Sequence, residues 1–303
     1  MTNKRLIFFA ICVIMKPYVK KGGVDLYSKA YVEITNICNR NCSFCPGTKR
    51  APMRMSLEDF DTVTQKLKGV TDYLYLHVMG EPLTHPQLIP MIALASDRGY
   101  HVAITTNGTL LDKIGPSLIS SGVYKVNISL HSFEEGSKED YLYYINSCID
   151  FADAASMAGI LVVFRLWNEG YDKGRNIDTV ALLREKLSGE WKEGSRGIRI
   201  RKGLHLEYGD RFEWPDIAAE DRGEKVFCYG LRDQFAVLCD GRVVPCCLDR
   251  EGEMTLGNIL EENADINEIL GSERAVNIKN GFSCRKAAEE LCRKCGYAQR
   301  FNK

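Results

Sequence analysis

Three cysteines within eight residues, Cys38, Cys42 and Cys45, follow directly on the apolar run Ala30–Thr35. On a loop, thiolates spaced C-x3-C-x2-C can reach three corners of a cubane iron–sulfur cluster. With no fourth cysteine nearby, one iron keeps an open coordination position, the same distinction that separates catalytic from structural zinc sites. Zinc, which favours C-x2-C pairs, and chance clustering are the alternatives.

Twelve cysteines in 303 residues would suit a disulfide framework only in a small secreted domain with a poor core. This chain is 45% hydrophobic and its cysteines are clustered, which favours thiolates kept reduced as metal ligands and a cytoplasmic location. Forty basic residues against forty acidic leave no net charge, so nothing marks a surface for nucleic acid or an anionic membrane. Near the N-terminus, Lys4 and Arg5 precede ten apolar residues, Leu6 to Met15. Ten is short of the roughly 20 needed to span a bilayer, and Lys16-Pro17-Tyr18 offers no signal-cleavage site. Either Met15 is the true start or Leu6–Met15 adds a strand to the domain.

Short apolar, β-branched runs predict buried parallel strands at Ala30–Thr35, Tyr73–Val78, Val102–Thr105, Lys125–Ser129, Leu161–Leu166 and Ile198–Leu204. Amphipathic stretches between them predict helices near Ser56–Lys68, Pro86–Arg98, Leu110–Ser120, Lys138–Ala158 and Asp178–Leu187, the first capped by Ser56. Six such units are too few for a closed eight-unit barrel. The fold expected is α/β, a partial (β/α)6 TIM-like barrel, with its site at the C-terminal ends of the strands. Residues 1–29 read as an extension, 30–205 as the barrel and 206–227 as a polar linker. Residues 228–303, with seven of the twelve cysteines, read as a small cysteine-rich α+β domain. Within it Gln234–Cys239 and Arg242–Cys247 flank Asp240-Gly241, a two-residue hairpin turn.

The cysteine spacing after strand one resembles the signature of the radical S-adenosylmethionine (SAM) superfamily, and the resemblance covers residues 30–205. Met79-Gly80-Glu81-Pro82 is similar to that family's G-G-E-P loop, with methionine replacing the first glycine. In the family this loop receives the SAM amino group; Gly80 allows close backbone approach and Glu81 positions loop or ligand. Thr105-Thr106-Asn107-Gly108 matches the T-N-G turn near the SAM amino-acid moiety. Ser129 occupies the place of the ribose-binding residue, and Phe44 that of an aromatic contacting adenine. Arg165 either pairs with the SAM carboxylate or forms a structural ion pair. Thr105 and Ser129 have strand-end capping as their bland alternative, and His77 and His85 read as satisfied structural histidines.

In the second domain Cys228, Cys246 and the C-x2-C pair Cys292/Cys295 resemble the start of the auxiliary-cluster domain called SPASM. Its continuation has no room before Lys303, so the truncated, single-cluster form known as twitch is expected. A structural zinc at the same four cysteines is the alternative. Cys239 and Cys247 read as packing, since neighbours on an extended strand face opposite ways. Cys284 has no assigned role, and Cys12 and Cys148 read as small buried hydrophobes.

The resemblance implies an enzyme binding one 4Fe-4S cluster with SAM and a second, auxiliary 4Fe-4S cluster. One electron, from a reductant such as flavodoxin or ferredoxin, cleaves SAM to methionine and a 5′-deoxyadenosyl radical, which abstracts a substrate hydrogen atom. The single auxiliary cluster is similar to enzymes that oxidise small molecules. The molybdenum-cofactor cyclase differs in ending with a di-Gly tail. Peptide modification is disfavoured, since strand one near residue 30 leaves no space for a leader-binding domain and the two-cluster motif is incomplete. A non-catalytic iron–sulfur or zinc protein is the alternative of a different class, and an RNA-modifying enzyme is opposed by the charge balance.

Overall fold

A computed structural model describes residues 20, 21, 24, 25, 27–194 and 197–301; the expected Leu6–Met15 element and Cys12 lie outside them. A two-stranded pair, Lys20–Lys21 and Val24–Asp25, stands apart from an eleven-stranded sheet that organises the rest.

The barrel strands are β1 (Lys29–Val32), β2 (Tyr73–Tyr75), β3 (His101–Thr106), β4 (Lys125–Ser129) and β5 (Leu161–Glu169). They are followed by β6 (Lys192–Gly194), β7 (Gly197–Arg201) and β8 (Leu204–Asp210). Helices α1 (Leu57–Lys66), α2 (Leu88–Asp97), α3 (Leu111–Ile119), α4 (Lys138–Met157) and α5 (Arg175–Lys186) alternate with them. Ser56 caps α1 by accepting the Asp59 N–H, as its sequence predicts, and Ser137 with Asp140 forms a capping box on α4. Strands β1 to β5 and then β8 pair in parallel, and the sheet stays open.

The expected sixth strand, Ile198–Leu204, is instead a hairpin. The chain turns at Lys202-Gly203, where Gly203 has φ +79, so β7 runs antiparallel to β8 and β8 alone pairs with β5. The last barrel strand therefore reaches Asp210.

Beyond it come β9 (Gln234–Val237), β10 (Arg242–Val244) and β11 (Gly257–Asn258), then α6 (Ile266–Gly271), α7 (Glu273–Ser283) and α8 (Glu290–Arg293). The hairpin β9–β10 forms where expected, but its connection is longer than two residues. The Leu238 N–H bonds to the Arg242 carbonyl, which leaves Cys239, Asp240 and a left-handed Gly241 (φ +84) as a three-residue loop. Strand β9 pairs in parallel with β1, Ala236 beside Tyr31, so the cysteine-rich region extends the barrel sheet.

Side-chain alternation decides what the barrel encloses. Even-numbered Ala30, Val32, Leu74, Val102, Ile104, Val126, Ile128, Val162, Phe164 and Leu206 are fully buried in the main hydrophobic core. Their odd-numbered neighbours, among them Lys29, Tyr31, Tyr75, His77, Thr105, Lys125, Arg165 and Glu207, line a cavity. A TIM barrel fills its interior with packed aliphatic layers; this interior is open and carries charged and polar side chains among aromatic ones.

Candidate active site

Three loops at the C-terminal ends of β1, β2 and β3 are locked together. Gly80, at φ +75, lies so close to the chain entering the cysteine loop that a Cβ there would stand 2.4 Å from the Thr35 carbonyl oxygen. The Glu81 N–H then bonds to the Ile37 carbonyl at 2.9 Å. The Glu81 carboxylate is 2% exposed and accepts from the Leu83 N–H (3.0 Å), the Thr106 hydroxyl (2.7 Å) and the Asn107 N–H (2.6 Å). Burial raises its pKa to about 7 against the pull of those hydrogen bonds. Glu81 thus holds the Thr106–Asn107 turn, and Asn107 passes the constraint on by donating to Asn39 Oδ1 at 2.8 Å.

Around the cysteines, the Cys42 thiol and Arg40 guanidinium both reach the Ser132 carbonyl, and Ser43 bonds to the Glu134 carboxylate through N–H and hydroxyl. Burial pushes the Cys42 thiol up to about 12, with Glu134, Cys38 and Cys45 adding repulsion. Burial likewise raises Cys38. Thiols that repel one another's ionised forms suit a polynuclear iron site, whose positive charge favours thiolate.

Cys228, Cys246, Cys292 and Cys295 come together in the second region. Burial raises each, and the other three are among the groups that further oppose ionisation of Cys246. All four line the cavity. Among the described residues no three His, Cys, Asp or Glu side chains converge on a single-ion site. The soft, all-sulfur donor set around a space fits an iron–sulfur cluster.

That cavity, about 1160 Å³, is also lined by Phe44, Thr105, Ser129 and Arg165. Thr105 Oγ1 lies 3.3 Å from His77 Nε2, 3.2 Å from the Asn127 amide and 3.5 Å from Arg165 Nη1. Arg165 stacks on Trp167, and its Nε is 3.6 Å from the Glu207 carboxylate. The Phe44 ring packs 4.8 Å from that of His131. Gly80 and Glu81 stand behind the wall as supports.

His85 is a satisfied structural histidine, bonded to Met55 and Gln87. His77 is not: its side chain borders the cavity and its Nδ1 is buried without a partner. Strand β10 stops at Val244, so Cys246 and Cys247 share a turn rather than opposite strand faces. Cys247 packs with Tyr31 and Val244, as expected of a packing residue, but also borders the cavity. Cys239 packs against Arg50 and Cys148 is fully buried. Lys29, Lys125 and Glu207 were not singled out from sequence; period-two alternation in K-A-Y-V-E, K-V-N-I-S and L-H-L-E carried the signal.

Residues 32–166 match the family model described as the radical SAM superfamily, and residues 228–296 match one described as an iron–sulfur cluster-binding domain, SPASM. Residues 32–166 therefore carry a radical SAM superfamily domain. That domain implies a 4Fe-4S cluster with SAM, and the SPASM region implies auxiliary iron–sulfur binding. A probable GTP 3′,8-cyclase of Pyrobaculum aerophilum is 35% identical over 37% of this chain and 37% of its own. The chain spans only 37–57% of the first four curated relatives, all named GTP 3′,8-cyclase or probable GTP 3′,8-cyclase. The structure of BtrN in complex with AdoMet and 2-DOIA shares the fold, with TM-score 0.59 and 19% identity over 90% of this chain and 94% of BtrN. Streptococcus suis SuiB bound to S-adenosylmethionine does so too, with TM-score 0.58 and 15% identity over 92% and 75%.

Proposed function

We propose that this radical SAM protein reductively cleaves SAM and oxidises a small molecule by hydrogen abstraction. The observation that carries the reading is one continuous cavity bordered by the SAM-loop residues Phe44, Thr105 and Ser129 and by the four cysteines of the second region. When bound, the cluster and SAM supply a 5′-deoxyadenosyl radical. In this reading Cys38, Cys42 and Cys45 hold the first cluster, and Cys228, Cys246, Cys292 and Cys295 the auxiliary one.

The chain's own residues supply placement. Gly80 brings the loop after β2 against the cysteine loop, and Glu81 fixes the turn after β3, so Thr105 and Asn107 meet the ligand in a set geometry. Phe44, its ring tilted 46° to that of His131, offers an aromatic face for adenine. Trp167 and Tyr297 add aromatic surface to the cavity lining, of the kind that limits water around reactive species. A volume of about 1160 Å³, above the roughly 300–1,000 Å³ usual for one small-ligand pocket, supports SAM together with a second small molecule. A flavodoxin- or ferredoxin-like reductant and a cytoplasmic setting complete the reading; among the described residues no helix is long and apolar enough to cross a membrane.

Anaerobically reconstituted protein given dithionite and SAM tests the proposal. It should release 5′-deoxyadenosine, and the Cys42→Ala variant should release none. Equal product from both would reject the site assignment.

A further inference from the structure

The barrel interior carries more positive charge than it neutralises. Lys29, Lys125 and Arg165 face one cavity wall. Glu207 sits 3.6 Å from Arg165 and also near Lys125, one carboxylate for two cations, and Asp233, near Lys29, is already bonded to Arg232. Among the described residues the Lys29 and Lys125 ammonium groups make no hydrogen bond or ion pair; Lys29 lies over the Tyr31 and Tyr75 rings, 5.4 and 5.1 Å from their centroids. The other titratable groups near them, Tyr31, Tyr75, Cys247 and His205, are held in neutral form chiefly by burial.

His77 stands among the three cations, each of which, after burial, disfavours its protonation. Thr105 Oγ1 already accepts from the Asn127 amide and faces the Arg165 guanidinium. Its own proton is therefore free to go to His77 Nε2, which places the imidazole hydrogen on Nδ1. That nitrogen is fully buried and without an acceptor, and Arg165 Nε has no hydrogen-bond partner either. Two buried donors and two unpaired ammonium groups on one wall ask for an acceptor carrying negative charge. Asn127 Oδ1, also unpartnered, gives the wall one acceptor, suited to a neighbouring hydroxyl or amine.

We propose that this wall is a substrate subsite for an anionic group, a carboxylate or a phosphate, gripped by Lys29, Lys125 and Arg165 around the His77 Nδ1 donor. The inference rests on the proposed function in taking the second occupant of the cavity to be the substrate. An anion there would draw Lys29 off its tyrosine rings and fix the substrate between the SAM loops and the four cysteines.

Anaerobic calorimetric titration of the reconstituted holoprotein with inorganic pyrophosphate, with citrate and with neutral glycerol tests it. Saturable binding of at least one anion is expected, weakening with salt, with none for glycerol. Citrate alone points to a carboxylate, pyrophosphate alone to a phosphate. Lys125→Met and Lys29→Met should each weaken binding by about tenfold or more, while Lys125→Arg retains it. No saturable binding, or equal loss in Lys125→Met and Lys125→Arg, would overturn the subsite. Cluster absorbance and 5′-deoxyadenosine release, read on the same wild-type preparation, separate the two failures. A protein that carries clusters and cleaves SAM but ignores both anions lacks only this subsite, whereas one that does neither undermines the enzyme assignment beneath it.

Discussion

Arg50 grips the fully buried Glu33 carboxylate with both terminal nitrogens, at 2.8 and 2.7 Å. The same carboxylate accepts the N–H groups of Met79 and Cys239, each at 3.1 Å. Arg50 also donates through Nε to the Arg250 carbonyl at 2.7 Å. One ion pair therefore ties β1, the segment after the cysteine loop, the Gly80 loop and the β9–β10 hairpin into a single piece.

Removing one partner strands a buried charge. Arg50→Met should cost about 3–5 kcal/mol, whereas Glu33→Gln combined with Arg50→Met should recover part of that loss. Urea unfolding of the three proteins checks both statements, and an Arg50→Met variant as stable as wild type would contradict them.

Gly80→Ala tests the loop lock. The added methyl meets the Thr35 carbonyl oxygen in a left-handed backbone, a clash of the kind that costs about 1–3 kcal/mol beyond the backbone strain. Because that carbonyl leads into Cys38, the variant should lose iron and SAM binding at the first cluster while keeping the second. Iron content and SAM affinity equal to wild type would show that the loop absorbs the methyl.

The Glu81 carboxyl adds a pH term whose sign is fixed. Its pKa in the fold is about 7 against an ordinary 4.5, so between those values the folded state holds a proton that the unfolded chain has released. Stability from this group is complete below pH 4.5 and lost as pH rises to about 7, a change of about 3 kcal/mol. Glu81→Gln lacks it, so the stability difference between wild type and variant should shift towards the variant from pH 4.5 to 7. Parallel urea midpoints across that range would contradict the buried carboxyl.

Much of this was readable in the sequence because local rules dominate there. The Ser56 cap, the loop positions after each strand and the cysteine spacings depend on a few neighbouring residues. The Lys202-Gly203 turn was missed because Ile198–Leu204 carries β-branched and aliphatic residues on both sides of it. The union of β9 with β1 is a pairing about two hundred residues apart, Ala236 with Tyr31, and no local pattern encodes it. His77 looked structural because its surroundings come from other strands: Thr105 from β3, Lys125 from β4 and Arg165 from β5.

The adjacent cysteines of the second region should separate cleanly. Cys246→Ser should reduce bound iron by about four atoms per chain, the content of one cubane, whereas Cys247→Ser should leave iron unchanged. Iron and sulfide quantification of both variants decides it; the reverse pattern would exchange their roles.

Mössbauer spectroscopy of the iron-57-enriched, anaerobically reconstituted protein, with and without SAM, tests the central claim most directly. The account predicts two cubane clusters, with a single iron of the Cys38–Cys42–Cys45 cluster changing its isomer shift when SAM is added. Spectra without a cubane at those cysteines, or with no iron that responds to SAM, would contradict it.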